Sequence, residues 1–165
     1  HVTLAEAAAQ AEELAQAGDE RSLAALRVQW DEEIEFAVRD PDYRVRAQAY
    51  RALAQFRYRQ KLQLLRRGLE DESPAARGSA LISLESFSRD HPGDVNSFRP
   101  LLHELAARDP NVAVRRLAVI CLKNGTSHLY ALQLLEGMAH SDDEDAELRK
   151  TARVVHAALR RKATR

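Results

Sequence analysis

The sequence predicts an all-α fold, a solenoid of about four stacked helix pairs preceded by one extra helix. Three observations carry that expectation. The first is a register: an Asp followed six residues later by Arg and nine later by Ala occurs at Asp40/Arg46/Ala49, Asp71/Arg77/Ala80, Asp109/Arg115/Ala118 and Asp143/Arg149/Ala152. The four starting points lie 31, 38 and 34 residues apart, a period characteristic of helical repeats. The second is composition: 45% of residues are apolar but only 5% aromatic, which suits many helices pressed closely together through small side chains. The third is that Val, Ile and Thr never fall into alternating runs, so nothing predicts a strand.

In chain order, a helix over about residues 3–17 opens the chain, begun by a Thr3/Glu6 capping box. Four repeats follow, at 19–57, 58–89, 94–124 and 127–161, and the whole of 1–165 reads as a single repeat domain. Each repeat starts with an amphipathic first helix. Its apolar faces are Leu23/Leu26/Trp30/Ile34/Ala37, Leu62/Leu65/Leu69, Phe98/Leu101/Leu102/Leu105 and Leu132/Leu135/Met138. A turn containing the repeated Asp comes next. Two residues beyond it stand Asp42, Ser73, Asn111 and Asp145, all residue types that accept a hydrogen bond from the first turn of a helix. Pro74 suits the first helical position, and Pro41 and Pro110 stop the preceding helix from running on.

Along the second helices, Val45, Ala76, Val114 and Leu148 form one apolar column, the repeated Ala a second, and Leu53, Leu84 and Leu122 a third, with His156 breaking the last. Breaks are expected at Gly18-Asp19, at the 90–94 loop and at Asn124-Gly125-Thr126-Ser127. There Gly125 is placed as a left-handed cap, and Thr126 or Ser127 as the start of the next helix.

The segments DPDYRVRAQAYRAL, DESPAARGSALISL and DPNVAVRRLAVICL resemble HEAT repeats, especially the bacterial HEAT-like repeats of the phycobilin-lyase type. The resemblance covers roughly residues 18–160. It implies a right-handed α-solenoid of about four HEAT-like helix pairs plus the N-terminal helix. It also implies that the repeated charges form a structural ladder between turns, made by Asp40, Arg46, Asp71, Arg77, Asp109, Arg115, Asp143 and Arg149. A bacterial, cytoplasmic scaffold that binds other proteins is the expected setting.

Catalysis has no residue pattern to rest on, and no cofactor is expected. The single Cys121 lies in an apolar run, which reads as a buried thiol. The six His are scattered without the spacing of a helical zinc site, and the acid-rich 140–145 turn lacks the ligand alternation of a calcium loop, so no metal is expected. No apolar run is long enough to span a bilayer. The chain opens on His1, which reads as one piece of a longer polypeptide and leaves an accessory domain of a larger enzyme as one reading.

Charge is the remaining signal. The formal net charge is zero, yet residues 1–42 carry eleven acids against three bases, and residues 43–67 carry eight bases and no acid. Likewise 136–147 hold six acids and no base, and 149–165 seven bases and no acid. The stripe four, seven and eleven residues after each Asp predicts a concave partner-binding surface. Its polar contacts are Arg44, Arg51, Arg116 and Lys150 and its apolar ones Ile82 and Ile120, suited to a protein or peptide carrying acids. The competing reading is a nucleic-acid surface formed by Arg44, Arg51, Arg57, Arg59 and Lys61, with aromatics interleaved.

Overall fold

The computed structural model describes residues 1–164. Among them it shows nine α-helices, one 3-10 turn and no strand. The helices group into two compact units, residues 1–87 and the residues from Ser88 onward, each with its own buried apolar side chains. No helix among the described residues is long and apolar enough to cross a membrane.

The first unit holds α1 (Leu4–Gln16), α2 (Glu20–Ala37), α3 (Tyr43–Gln55), the 3-10 turn Arg59–Lys61, α4 (Leu64–Leu69) and α5 (Pro74–Ser88), whose last residue lies at the boundary. Thr3 and Glu6 make the reciprocal capping box that starts α1. Gly18 ends that helix at φ 73°, and Asp19 caps α2 through the Ser22 amide at 3.1 Å. Buried Ala7, Ala8 and Ala11 let α1 press against both α2 and α3. The predicted face of α2 is buried throughout, with Leu23, Trp30 and Ile34 at 1%, 7% and 0% exposure. Burial of this kind contributes on the order of 1.5–3 kcal/mol per large side chain and holds the helix in place.

The second repeat departs from expectation. In place of a full first helix there is the 3-10 turn and then a six-residue α4. That loss of helix accounts for the shortest repeat interval, 31 residues. The chain enters it through Arg57, a non-glycine residue at φ 52°. The Arg57 amide donates to the Ala54 carbonyl at 3.0 Å and the Tyr58 amide to the Leu53 carbonyl at 2.9 Å, closing the end of α3.

The second unit holds α6 (Gly93–Arg108), α7 (Val112–Leu122), α8 (Leu129–His140) and α9 (Ala146–Ala163). α6 packs on α7 and α8, and α9 on α7 and α8. α6 continues through the exposed Pro100. Gly125 does not adopt the left-handed conformation the sequence suggests, since Gly18 is the glycine with positive φ. Its requirement is space: a Cβ there would meet Val95 Cγ1 at 2.6 Å. Neither Thr126 nor Ser127 caps α8; the cap position is His128, without a side-chain bond, and Thr126 is drawn instead to Asn96.

The second-helix columns behave as a close-packed face. Ala49, Ala80, Ala118 and Ala152 are all at 0% exposure, and Leu53, Leu84 and Leu122 are at 2% or less. Cys121 is buried. Val45 is the exception in its column, at 37% exposure in the first turn of α3.

Candidate partner-binding surface

The repeated acids lie in the turns, and the repeated arginines stand on the helices that follow them. Asp40, Asp71 and Asp109 each accept from the amide two residues on, at 2.8, 2.8 and 2.9 Å. Asp42, Ser73, Asn111 and Asp145 then accept from amides of α3, α5, α7 and α9. Arg46 spans two turns: Nη1 donates to the Asp40 and Pro41 carbonyls at 2.9 and 3.0 Å, and Nε and Nη2 grip both oxygens of Asp71 at 2.8 and 3.0 Å. Arg77 repeats the first half, donating to the Asp71 and Glu72 carbonyls. Burial pushes the Asp71 carboxyl up, but the Arg46 fork and the Ser73 amide outweigh it and hold it below the usual carboxylate value.

The last step of the ladder uses a different acid. Arg115 donates to both Glu144 oxygens at 2.6 Å, whereas Asp143 is exposed to solvent. Arg149 lies 3.7 Å from Asp142. The 140–145 turn thus divides its acids by role, with Asp145 capping α9 and Glu144 taking the guanidinium, because only Glu144 is turned toward α7.

The basic 43–67 segment is largely neutralised from within the same unit. Arg57 donates to Glu12 at 2.8 Å, and Lys61 reaches Asp31 at 2.8 Å and Glu35 at 2.5 Å. The Tyr58 hydroxyl also donates to Asp31. Hydrogen bonds from Arg57 and Lys61 hold Glu12, Asp31 and Glu35 below their ordinary values. Arg44 folds back on its own cap residue, with Nε and Nη2 at 3.1 and 3.0 Å from the two Asp42 oxygens, while its side chain stays 75% exposed. Arg59 is exposed and Arg51 half-buried. The first acidic block and the basic block that follows it are therefore partners across the helices, which no linear pattern reveals.

The remaining stripe residues reach the surface. In the first unit Ile82 is exposed, at 39%. In the second unit three of the predicted residues come together. Arg116 and Ile120, with Lys123 beside them, line one wall of a cleft between α7 and α9; Lys150, Thr151 and Val154 line the other. The cleft has a volume of about 310 Å³, and Val154 stands 57% exposed in it. Arg116 Nε donates to Thr151 Oγ1 at 3.0 Å, and that hydroxyl donates in turn to the Glu147 carbonyl at 2.9 Å. Lys123 escaped the stripe because it lies just past the end of α7, beyond the last position the repeat register marks.

A turn–helix register with capped starts, buried Ala columns and Arg forks joining successive turns is the construction of a stacked helical repeat. Residues 31–104 match the family model for HEAT repeats. The HEAT match runs from Asp31 in α2 to Glu104 in α6 and takes in α3, α4 and α5, including the Arg46–Asp71 step. No curated protein matches the chain. HEAT repeats are commonly protein-interaction scaffolds.

Proposed function

We propose that the chain is a non-enzymatic scaffold of bacterial HEAT-like repeats, one right-handed solenoid domain of about four helix pairs, that binds a partner protein in the cytoplasm. Binding uses surfaces of the second helices, Arg44, Arg51 and Ile82 in the first unit and, taken separately, Arg116, Ile120 and Lys150 in the second. The observation that carries this reading is a contrast in charge. Arg57 and Lys61 of the 43–67 segment are tied to acids of their own unit, while Lys150 and Lys123 border apolar Ile120 and Val154 with no acidic partner among the described residues. Positive side chains around an exposed apolar floor favour a protein partner with acidic and apolar groups. A nucleic-acid site instead needs cations free to track phosphates.

The test is to place a photo-crosslinking amino acid at Ile82 and, separately, at Ile120 in cells that make the protein naturally. Discrete protein adducts are expected at one or both positions, and pairing the label with Arg44→Glu/Arg51→Glu or Arg116→Glu/Lys150→Glu should lower their yield. A parallel titration with labelled duplex and single-stranded DNA at two salt concentrations should show no saturable binding. Tight, steeply salt-dependent DNA binding without protein adducts would reject the scaffold.

A further inference from the structure

We infer that the α7–α9 cleft is the docking point for a short acidic peptide segment carrying one bulky apolar anchor, supplied by a partner protein; this rests on the scaffold reading above. The cleft has an apolar floor of Ile120 and Val154 with cations at both ends. Arg116 and Lys150 stand toward one end and Lys123 toward the other, against a single acid, Glu147, on the lining. Arg116 and Lys123 are seven residues apart on the line of α7, which places them about 10 Å apart along the helix axis. An extended peptide advances about 3.3 Å per residue, so the same span is about three residues. The segment that fits has two acids flanking two apolar residues within that distance, one of which turns its side chain into the cleft as the anchor.

The arginine is prepared for a carboxylate. Thr151 fixes its Nε, and its terminal nitrogens have no hydrogen-bond partner among the described residues, so the forked edge faces the cleft already oriented. A side chain held in its binding geometry loses less entropy on capture, and a guanidinium fork grips a carboxylate through two parallel bonds. At about 310 Å³ the space takes one or two side chains and no folded element. Val154 supplies the apolar contact, and 57% exposure is more than a residue needs that serves only the α9 core. The carboxylates set register and capture rate, and the anchor supplies most of the affinity.

The probe is a fluorescein-labelled peptide, Gly-Glu-Leu-Phe-Glu-Gly, followed by fluorescence anisotropy with the full chain. Saturable binding that weakens with added salt is expected. Val154→Asp and Lys150→Glu, both at exposed positions and so compatible with folding, should each weaken it by about tenfold with unchanged circular dichroism. Replacing Leu-Phe by Gly-Gly, or both Glu by Lys, should weaken it at least as much. Equal binding by the variants, or by the anchor-free peptide, overturns the site. Sedimentation that shows the chain self-associating through a surface lost in Val154→Asp also overturns it, because the cleft then belongs to a second copy. If the peptide fails while Ile82 still yields a protein adduct, this inference falls and the scaffold stands; if neither position yields an adduct, the scaffold falls with it.

Discussion

Arg46 is the residue on which the first unit turns. Its guanidinium meets four acceptors, two on Asp71 and the carbonyls of Asp40 and Pro41, with its side chain 11% exposed and that of Asp71 6%. Lysine cannot reproduce the planar fork, so Arg46→Lys should cost about 2 kcal/mol in a urea denaturation. Arg46→Ala strands a buried carboxylate and should cost about 3–5 kcal/mol. If Arg46→Ala/Asp71→Asn together cost no less than the sum of the single changes, the pair is not coupled as its geometry requires. The register made Arg46 and Asp71 legible because each recurs at a fixed place in its own repeat, and the fork joins the Arg of one repeat to the Asp of the next. Glu144 was not legible. The 140–145 turn offers several acids in a row, and which of them reaches Arg115 depends on how the turn is laid against α7.

Glycines separate two kinds of helix. Gly68 sits in α4 where a Cβ would meet Ala80 Cβ at 2.7 Å and the Tyr50 ring at 3.0 Å. Gly137 sits exposed in α8 with nothing within 4 Å of the position. The same change should therefore have opposite signs. Gly68→Ala forces α4 off α3 and α5 and should cost about 1–3 kcal/mol, whereas Gly137→Ala should stabilise by about 0.5–1 kcal/mol through helix propensity alone. Melting temperatures that move the same way for both would show that α4 can yield.

The difference between these helices also explains what the sequence conveyed at this scale. Capped starts and buried Ala columns are local and periodic, so the starts of α1, α3, α5, α7 and α9 could be read directly. The shortness of α4 could not, because the elements on either side of it are fixed by contacts distant in sequence. Buried Ser83 donates to the Tyr50 carbonyl at 2.6 Å and ties α5 to α3, and Lys61 anchors the 3-10 turn to α2. No side-chain periodicity reports either tie.

Across the whole chain the two units carry different pH sensitivities. The first depends on carboxylates. Glu12, Asp31, Glu35 and Asp71 all sit below their ordinary values of 4.5, 3.8, 4.5 and 3.8. For a group depressed in the fold, stability is present above the unfolded value and lost as pH falls through the folded one, so this unit begins to weaken as pH nears 4.5, at Glu12 and Glu35, and weakens further below 3.8, at Asp31 and Asp71. The second unit contains His103 on α6, buried, with Nε2 lacking a hydrogen-bond partner among the described residues and the Tyr130 and His128 rings at 4.8 and 6.0 Å. Burial, aided by nearby Arg99 and His128, lowers it from 6.5 to about 4. The unfolded chain takes up that proton below 6.5 while the fold resists it to about 4, so stability is lost between those values, by at most about 3 kcal/mol. Hydrogen exchange corrected for intrinsic rate should thus show α6 and α8 opening more readily at pH 5 than at pH 7, with α1, α2 and α3 little changed at pH 5 and opening only as the pH falls through 4.5. His103→Leu should remove the first effect and leave the second. Loss of protection in both units together above pH 5, or persistence of the pH 5 effect in His103→Leu, would place the sensitivity in some group other than this buried imidazole.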